Sequence, residues 1–229
     1  MNLINTLIAG VSIGAVYSLI AFALILVWRS TRVVNFAQAG QAAFSTYIGL
    51  SIEKALDNFW LALIAAIIAG IVVGAFVEVV IVRFIVKRAT SAATVTVAPV
   101  IAMLGLLGIF QGVMGLIWGG DYQAYPTAFS RDGLTVNGTQ IPFSQNDLFV
   151  LLTVVAAMLI AALIFQKTSL GLAMRAAAFA PEVTRLSGIR VSRIRTLGWA
   201  FAGGAGGLAG VLVAPTTFIA PNSFDLLLV

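Results

Sequence analysis

No cysteine and no histidine occur among the 229 residues. Disulfides, thiolate metal sites, imidazole-ligated haem and histidine-dependent catalysis are therefore excluded within this chain, while the redox compartment stays open. Charge is scarce as well: Asp, Glu, Lys and Arg make up 9% of the residues, against about a quarter of an ordinary globular chain. Paired carboxylates at membrane depth are missing, which ranks an intramembrane enzyme last. The net charge of +5 does not indicate nucleic acid, because the basic residues flank apolar runs and are not interleaved with exposed aromatics.

What the chain has in quantity is apolar sequence, 61% of it, with a mean hydropathy of +1.07. The expected fold is an all-α polytopic membrane protein, a helical bundle, because a hydrocarbon core about 30 Å thick takes roughly 20 apolar residues per helix. Spans are predicted over about 3 to 28, 33 to 52, 59 to 82, 94 to 120, 147 to 166 and 196 to 214, within one transmembrane domain of residues 1 to 229. The first run is too long and its N-terminal flank too poor in Lys and Arg for a cleaved signal peptide, so it reads as a retained span. Pro99 and Gly105, Gly108, Gly112 and Gly115 in the fourth run predict a tilt, a kink or a partial re-entry. The loop 121 to 147 carries turn signals at Asp132-Gly133 and Asn137-Gly138 and predicts a small hairpin. Phe224 to Val229 reads as the start of a further apolar segment, so the expectation is a chain truncated at its C-terminus.

Alternate polar breaks share a side. One set collects Arg29, Arg32, Arg83, Lys87, Arg88, Lys167, Arg175, Arg185, Arg190, Arg193 and Arg195, leaving Lys54 and Arg131 opposite. Eleven against two predicts that the first set is cytoplasmic and the N-terminus outside.

Asn35, Gln38, Gln41 and Ser45 are spaced near three and four, along roughly one helix face. Amides facing hydrocarbon are costly, so that face turns inward. It either lines a translocation path with neutral hydrogen-bonding groups or joins helices by hydrogen bonds. Glu78 is a lone acid near a span end, read either as a proton-coupling group or as a structural partner of Arg83 or another base. Gly203, Gly206, Gly207 and Gly210 include four-residue spacings that let helix backbones approach closely.

Residues 167 to 195 hold six bases and one acid. Within them Arg175 lies on a helix leaving the membrane, Pro181 marks a break, and a short helix from Glu182 to Ser187 ends at Gly188. A short amphipathic helix bracketed by two spans has the geometry of a docking element. Gly171 to Ala178, Pro181-Glu182 and Arg185-Leu186-Ser187-Gly188-Ile189 resemble the coupling loop of the branched-chain amino acid permeases of ABC importers. Val33 to Gln38, following Gly14 to Leu19, resembles the N-terminal signature of the same family, and Gly210-Val211-Leu212 agrees. The sequence departs from the family at Phe179-Ala180, where an acid and an Asn or Asp are common, and at Ala39-Gly40, where a Gly-Glu pair is common.

The resemblance implies a permease of hydrophobic amino acids working with a second permease subunit, two ATP-binding subunits and an extracytoplasmic solute-binding protein in the cytoplasmic (inner) membrane. It assigns coupling to the ATPases to Arg175, Pro181, Glu182, Arg185, Leu186, Gly188 and Ile189. No G-x-x-x-x-G-K-S/T run occurs, so ATP and Mg are expected on the partner ATPases, with no cofactor and no metal in this chain. Related permeases carry urea or short amides, which is one alternative. An ion-gradient-driven secondary transporter is another.

Overall fold

The computed structural model describes residues 3–88, 92–136 and 139–223. Nine α-helices appear among them: α1 (Leu3–Thr31), α2 (Gln38–Leu56), α3 (Phe59–Phe76), α4 (Arg83–Arg88), α5 (Ala92–Trp118), α6 (Gln145–Lys167), α7 (Ser169–Phe179), α8 (Pro181–Leu186) and α9 (Val191–Thr217). A π-helical turn, Val77–Val82, joins α3 to α4. Among the described residues five helical stretches are long and apolar enough to cross a membrane: Ile13–Thr31, Phe59–Ile85, Val97–Trp118, Gln145–Lys167 and Val191–Thr217. An all-α polytopic membrane fold is thus established.

The segment predicted as the second span, α2, starts later than predicted and is not among those five stretches. Residues 33 to 37 are not helical and α2 begins at Gln38, so Asn35 stands before the helix and not on its face. The Asn35 side chain competes for its own backbone, its Oδ1 accepting from the Ala37 N–H at 3.1 Å, a local bond that favours a turn over a helix. The last span starts earlier than predicted, at Val191, which puts Arg193 and Arg195 on α9. Pro99 lies within α5, which runs unbroken, and a Cβ added at Gly105, Gly108, Gly112 or Gly115 would meet no atom within 4 Å.

Packing is arranged around α9. Of its apolar window 78% is buried, against 11% for α6. Small residues permit this: α3 presents Ala66, Gly70 and Gly74, one turn apart each, to Trp199, Gly203 and Gly207 of α9. A Cβ on Gly70 would strike the Gly203 carbonyl, and one on Gly203 would strike the Gly70 carbonyl, so the two backbones lie in contact. α2 fills the remaining side against α3, α5 and α9, with its residues from Gln38 to Ala43 and Tyr47 buried. α1 packs on α9 and α6.

One end of the bundle carries the basic breaks. The opposite end is closed by polar links: Lys54 Nζ donates to Gln123 Oε1 at 2.8 Å, Trp118 Nε1 to Ser51 Oγ at 2.8 Å, and Arg131 Nη1 to the Pro215 carbonyl at 2.7 Å. Gln123 and Ile219 form an antiparallel bridge there. Strands β1 (Gly133–Val136) and β2 (Thr139–Ser144) pair antiparallel, and the Asn137-Gly138 turn lies outside the described residues. Ser144 and Asp147 form a reciprocal capping box that starts α6 directly from β2. Phe224 to Val229 also lie outside the described residues.

Candidate functional site

Two groups of residues carry the functional expectations, and the fold keeps them apart: an amide cluster inside the bundle and a short helix at its basic end.

The amide cluster forms where the chain enters α2. Asn35 Nδ2 donates to Gln38 Oε1 at 2.8 Å and, more weakly, to Gln41 Oε1 at 3.4 Å. Gln38 Nε2 donates to the Ala202 carbonyl of α9 at 3.1 Å. Gly206 makes that approach possible, because a Cβ there would stand 2.6 Å from Gln38 Nε2. Ser45 Oγ returns to the Gln41 carbonyl of its own helix at 2.7 Å. All four side chains are buried, and Gln41 Nε2 has no hydrogen-bond partner among the described residues. A buried amide donor left open is costly unless water or a guest supplies an acceptor. The cluster therefore combines interhelical bonding, through Gln38, with one unsatisfied donor.

Glu78 lies on the π turn. Arg83 follows it by five positions, a spacing that on an α-helix points side chains apart. The wider turn places them together: the Arg83 N–H bonds to the Glu78 carbonyl, and Arg83 Nη2 meets Glu78 Oε2 at 2.7 Å. Thr196 Oγ1 of α9 donates to the same Oε2 at 2.7 Å and lies 2.9 Å from Arg83 Nη2. The buried carboxylate is thus held by a base and a hydroxyl. Thr196 was not legible in advance, since a lone Thr one turn into a basic segment carries no signal.

At the basic end, Thr168 caps α7 by accepting from the Gly171 N–H at 3.2 Å. Arg175 is exposed on α7 and faces the end of α1. Pro181 opens α8 at its first position, where its missing N–H costs nothing. Gly188, at φ +81°, closes it: the Gly188 N–H bonds to the Arg185 carbonyl at 3.0 Å and the Ile189 N–H to the Thr184 carbonyl at 3.2 Å. That pair of bonds is a Schellman cap, and its left-handed residue favours glycine. Glu182 and Arg185 stand 3.6 Å apart on the exposed surface, a contact worth little in itself. Thr184 faces inward and is buried, while Phe179, Val183 and Leu186 are 92%, 63% and 88% exposed. Three large apolar side chains are thus exposed together on an otherwise polar loop.

Of the α9 glycines, Gly203 and Gly207 pack on α3, Gly206 on Gln38, and Gly210 is buried on the same helix. Their partners Gly70 and Gly74 were missed, although Ala66-Gly70-Gly74 repeats the same four-residue spacing. Gly198 was missed too; a Cβ there would lie 2.5 Å from Ser30 Cβ, so it seats α1 and, through Met174, α7 against α9.

No solved structure matches the chain. Among curated proteins, a probable branched-chain amino acid transport permease protein LivH of Methanocaldococcus jannaschii is 27% identical over 215 residues, covering 92% of this chain and 66% of the relative. The chain therefore spans somewhat less than two thirds of that relative's length. A family model described as the branched-chain amino acid transport system / permease component matches residues 6–229. With nearly the whole sequence matched, on a bundle of membrane-length helices, the chain belongs to this permease family and is a multi-pass membrane protein.

Proposed function

We propose that the chain is a permease subunit of an ATP-driven importer of branched-chain or other small hydrophobic amino acids, coupled through residues 167 to 195 to two partner ATPases. A second permease subunit and an extracytoplasmic binding protein complete the assembly in the cytoplasmic membrane, with the basic end inside. The observation that carries this reading is α8: a short helix fixed by Pro181 and the Gly188 cap, exposing Val183 and Leu186 beside Phe179 at the basic end. The family and the name of the relative support the cargo class.

In this mechanism ATP binding closes the partner ATPases, and α8 moves with them as a rigid lever. α7 and α9 flank the lever, and α9 is the central helix, so a displacement at α8 reaches the amide cluster through Ala202 and Gly206. The Gln41 amide, open on one side, would hydrogen-bond a passing carboxylate or carbonyl.

Gly188→Val removes the left-handed cap, and the paired reversal Glu182→Arg with Arg185→Glu inverts the loop's charge order. Both should abolish uptake in cells lacking the native permease while membrane abundance, read by immunoblot, stays unchanged. Normal uptake in both would remove α8 from coupling. The path is tested separately by Gln41→Leu, expected to lower uptake more than it lowers the unfolding temperature.

A further inference from the structure

A cavity of about 810 Å³ lies outside the bundle core, between the ends of α1 and α6 and the first helix of the basic loop, α7. It has two unlike parts. Phe22, Ile25 and Leu26 of α1 and Phe165 of α6 give it an apolar lining, whereas Arg29 and Arg32, toward the end of α1, and Arg175 of α7 line it with charge. No acidic residue lines it. Arg29 and Arg175 have no ion pair and no hydrogen-bond partner among the described residues. Arg32, in the left-handed region at φ +57°, lies 5.8 Å above the Trp28 ring and reaches the Ala178 carbonyl only at 3.4 Å.

Depth identifies what fits. Trp28 is 43% exposed beside the arginines, and an exposed Trp next to Arg at a span end marks the headgroup level. Ile25, one turn deeper on α1, is 52% exposed. From Arg29 to Phe22 is two turns, about 10 Å along the helix. The cavity thus begins at the headgroups with three cations and descends into the acyl region with carbon walls. A water-filled cleft would not need such walls, and a neutral lipid would not need the cations.

We infer that this groove holds one anionic phospholipid, its phosphodiester among Arg29, Arg32 and Arg175 and the upper part of an acyl chain against Phe22, Ile25 and Phe165. Basic pockets between helix ends on the cytoplasmic side suit such headgroups. The lipid would brace α1 against α7, filling the gap that Arg32 and Ala178 bridge weakly. The inference is independent of the cargo and of the role of α8.

The test uses the assembled transporter purified in mild detergent, titrated with phosphatidylglycerol or phosphatidylcholine and read by native mass spectrometry. Saturable binding of phosphatidylglycerol over phosphatidylcholine is expected. Each arginine removed should weaken it about fivefold, and Arg29→Gln with Arg175→Gln together about 30-fold. Arg29→Lys with Arg175→Lys should retain most of it, which separates lost charge from misfolding. Equal affinity for both lipids, or no effect of the Gln pair, would overturn the assignment. A photo-crosslinking residue at Ile25 decides between occupants: adducts to phospholipid support the inference, and adducts to a protein subunit refute it.

Discussion

At the scale of single residues, the Glu78 carboxylate shows how one extra residue in a helical turn converts a costly position into a satisfied one. An unpaired acid at that depth would be expensive, and its neighbour Arg83 would point away on a regular helix. The π turn brings the two together and Thr196 adds a second donor from α9. The two partners differ in exposure: the Arg83 side chain is 30% exposed and that of Glu78 is 2%. Removing the base strands a buried charge, while removing the acid leaves a guanidinium that reaches solvent. Arg83→Met should therefore destabilise by roughly 3 kcal/mol, and Glu78→Gln by clearly less. Thermal unfolding in detergent checks the order, and equal losses would show that the pair is not asymmetric in its burial. The same contact bears on the gradient-driven alternative, since the acid such a transporter would use is already engaged by Arg83 and Thr196.

At the scale of elements, two helices rich in glycine behave oppositely. On α9 and α3 the glycines are contact surfaces, with carbonyls of one helix where a Cβ of the other would be. On α5 the glycines look onto open space. Gly203→Ala should destabilise by about 1–3 kcal/mol through forced separation of the backbones. Gly108→Ala, by contrast, should be neutral or stabilise by up to about 1 kcal/mol, since Ala is the better helix former and meets nothing. Unfolding midpoints of the two variants side by side provide the measurement. Composition does not distinguish these helices, because glycine content is the same signal in both. The difference is which face another backbone covers.

At the scale of the whole molecule, the lack of cysteine makes the membrane orientation directly testable. Tyr122 is 73% exposed at one end and Leu186 is 88% exposed at the other. With the basic end inside, Tyr122→Cys should react with an impermeant maleimide in intact cells and Leu186→Cys only after permeabilisation. The reverse pattern would invert the topology and place α8 where no ATPase could reach it.

The helical membrane class, the basic end and the punctuation of α8 were all legible in the amino-acid order. Each depends on local chemistry: hydropathy over about 20 residues, the charge beside a span, a Pro before a helix and a Gly after it. The family resemblance was legible for the same reason, since its motifs are contiguous. Only the tertiary structure decided that Asn35 precedes α2, that Gln38 reaches Ala202 through the space at Gly206, and that Thr196 completes the Glu78 pair. It alone placed Gly70 against Gly203 and gathered Arg29, Arg32 and Arg175 around one groove. Those relations join residues far apart in the chain, and they follow from which helix faces meet, a choice that no single segment contains.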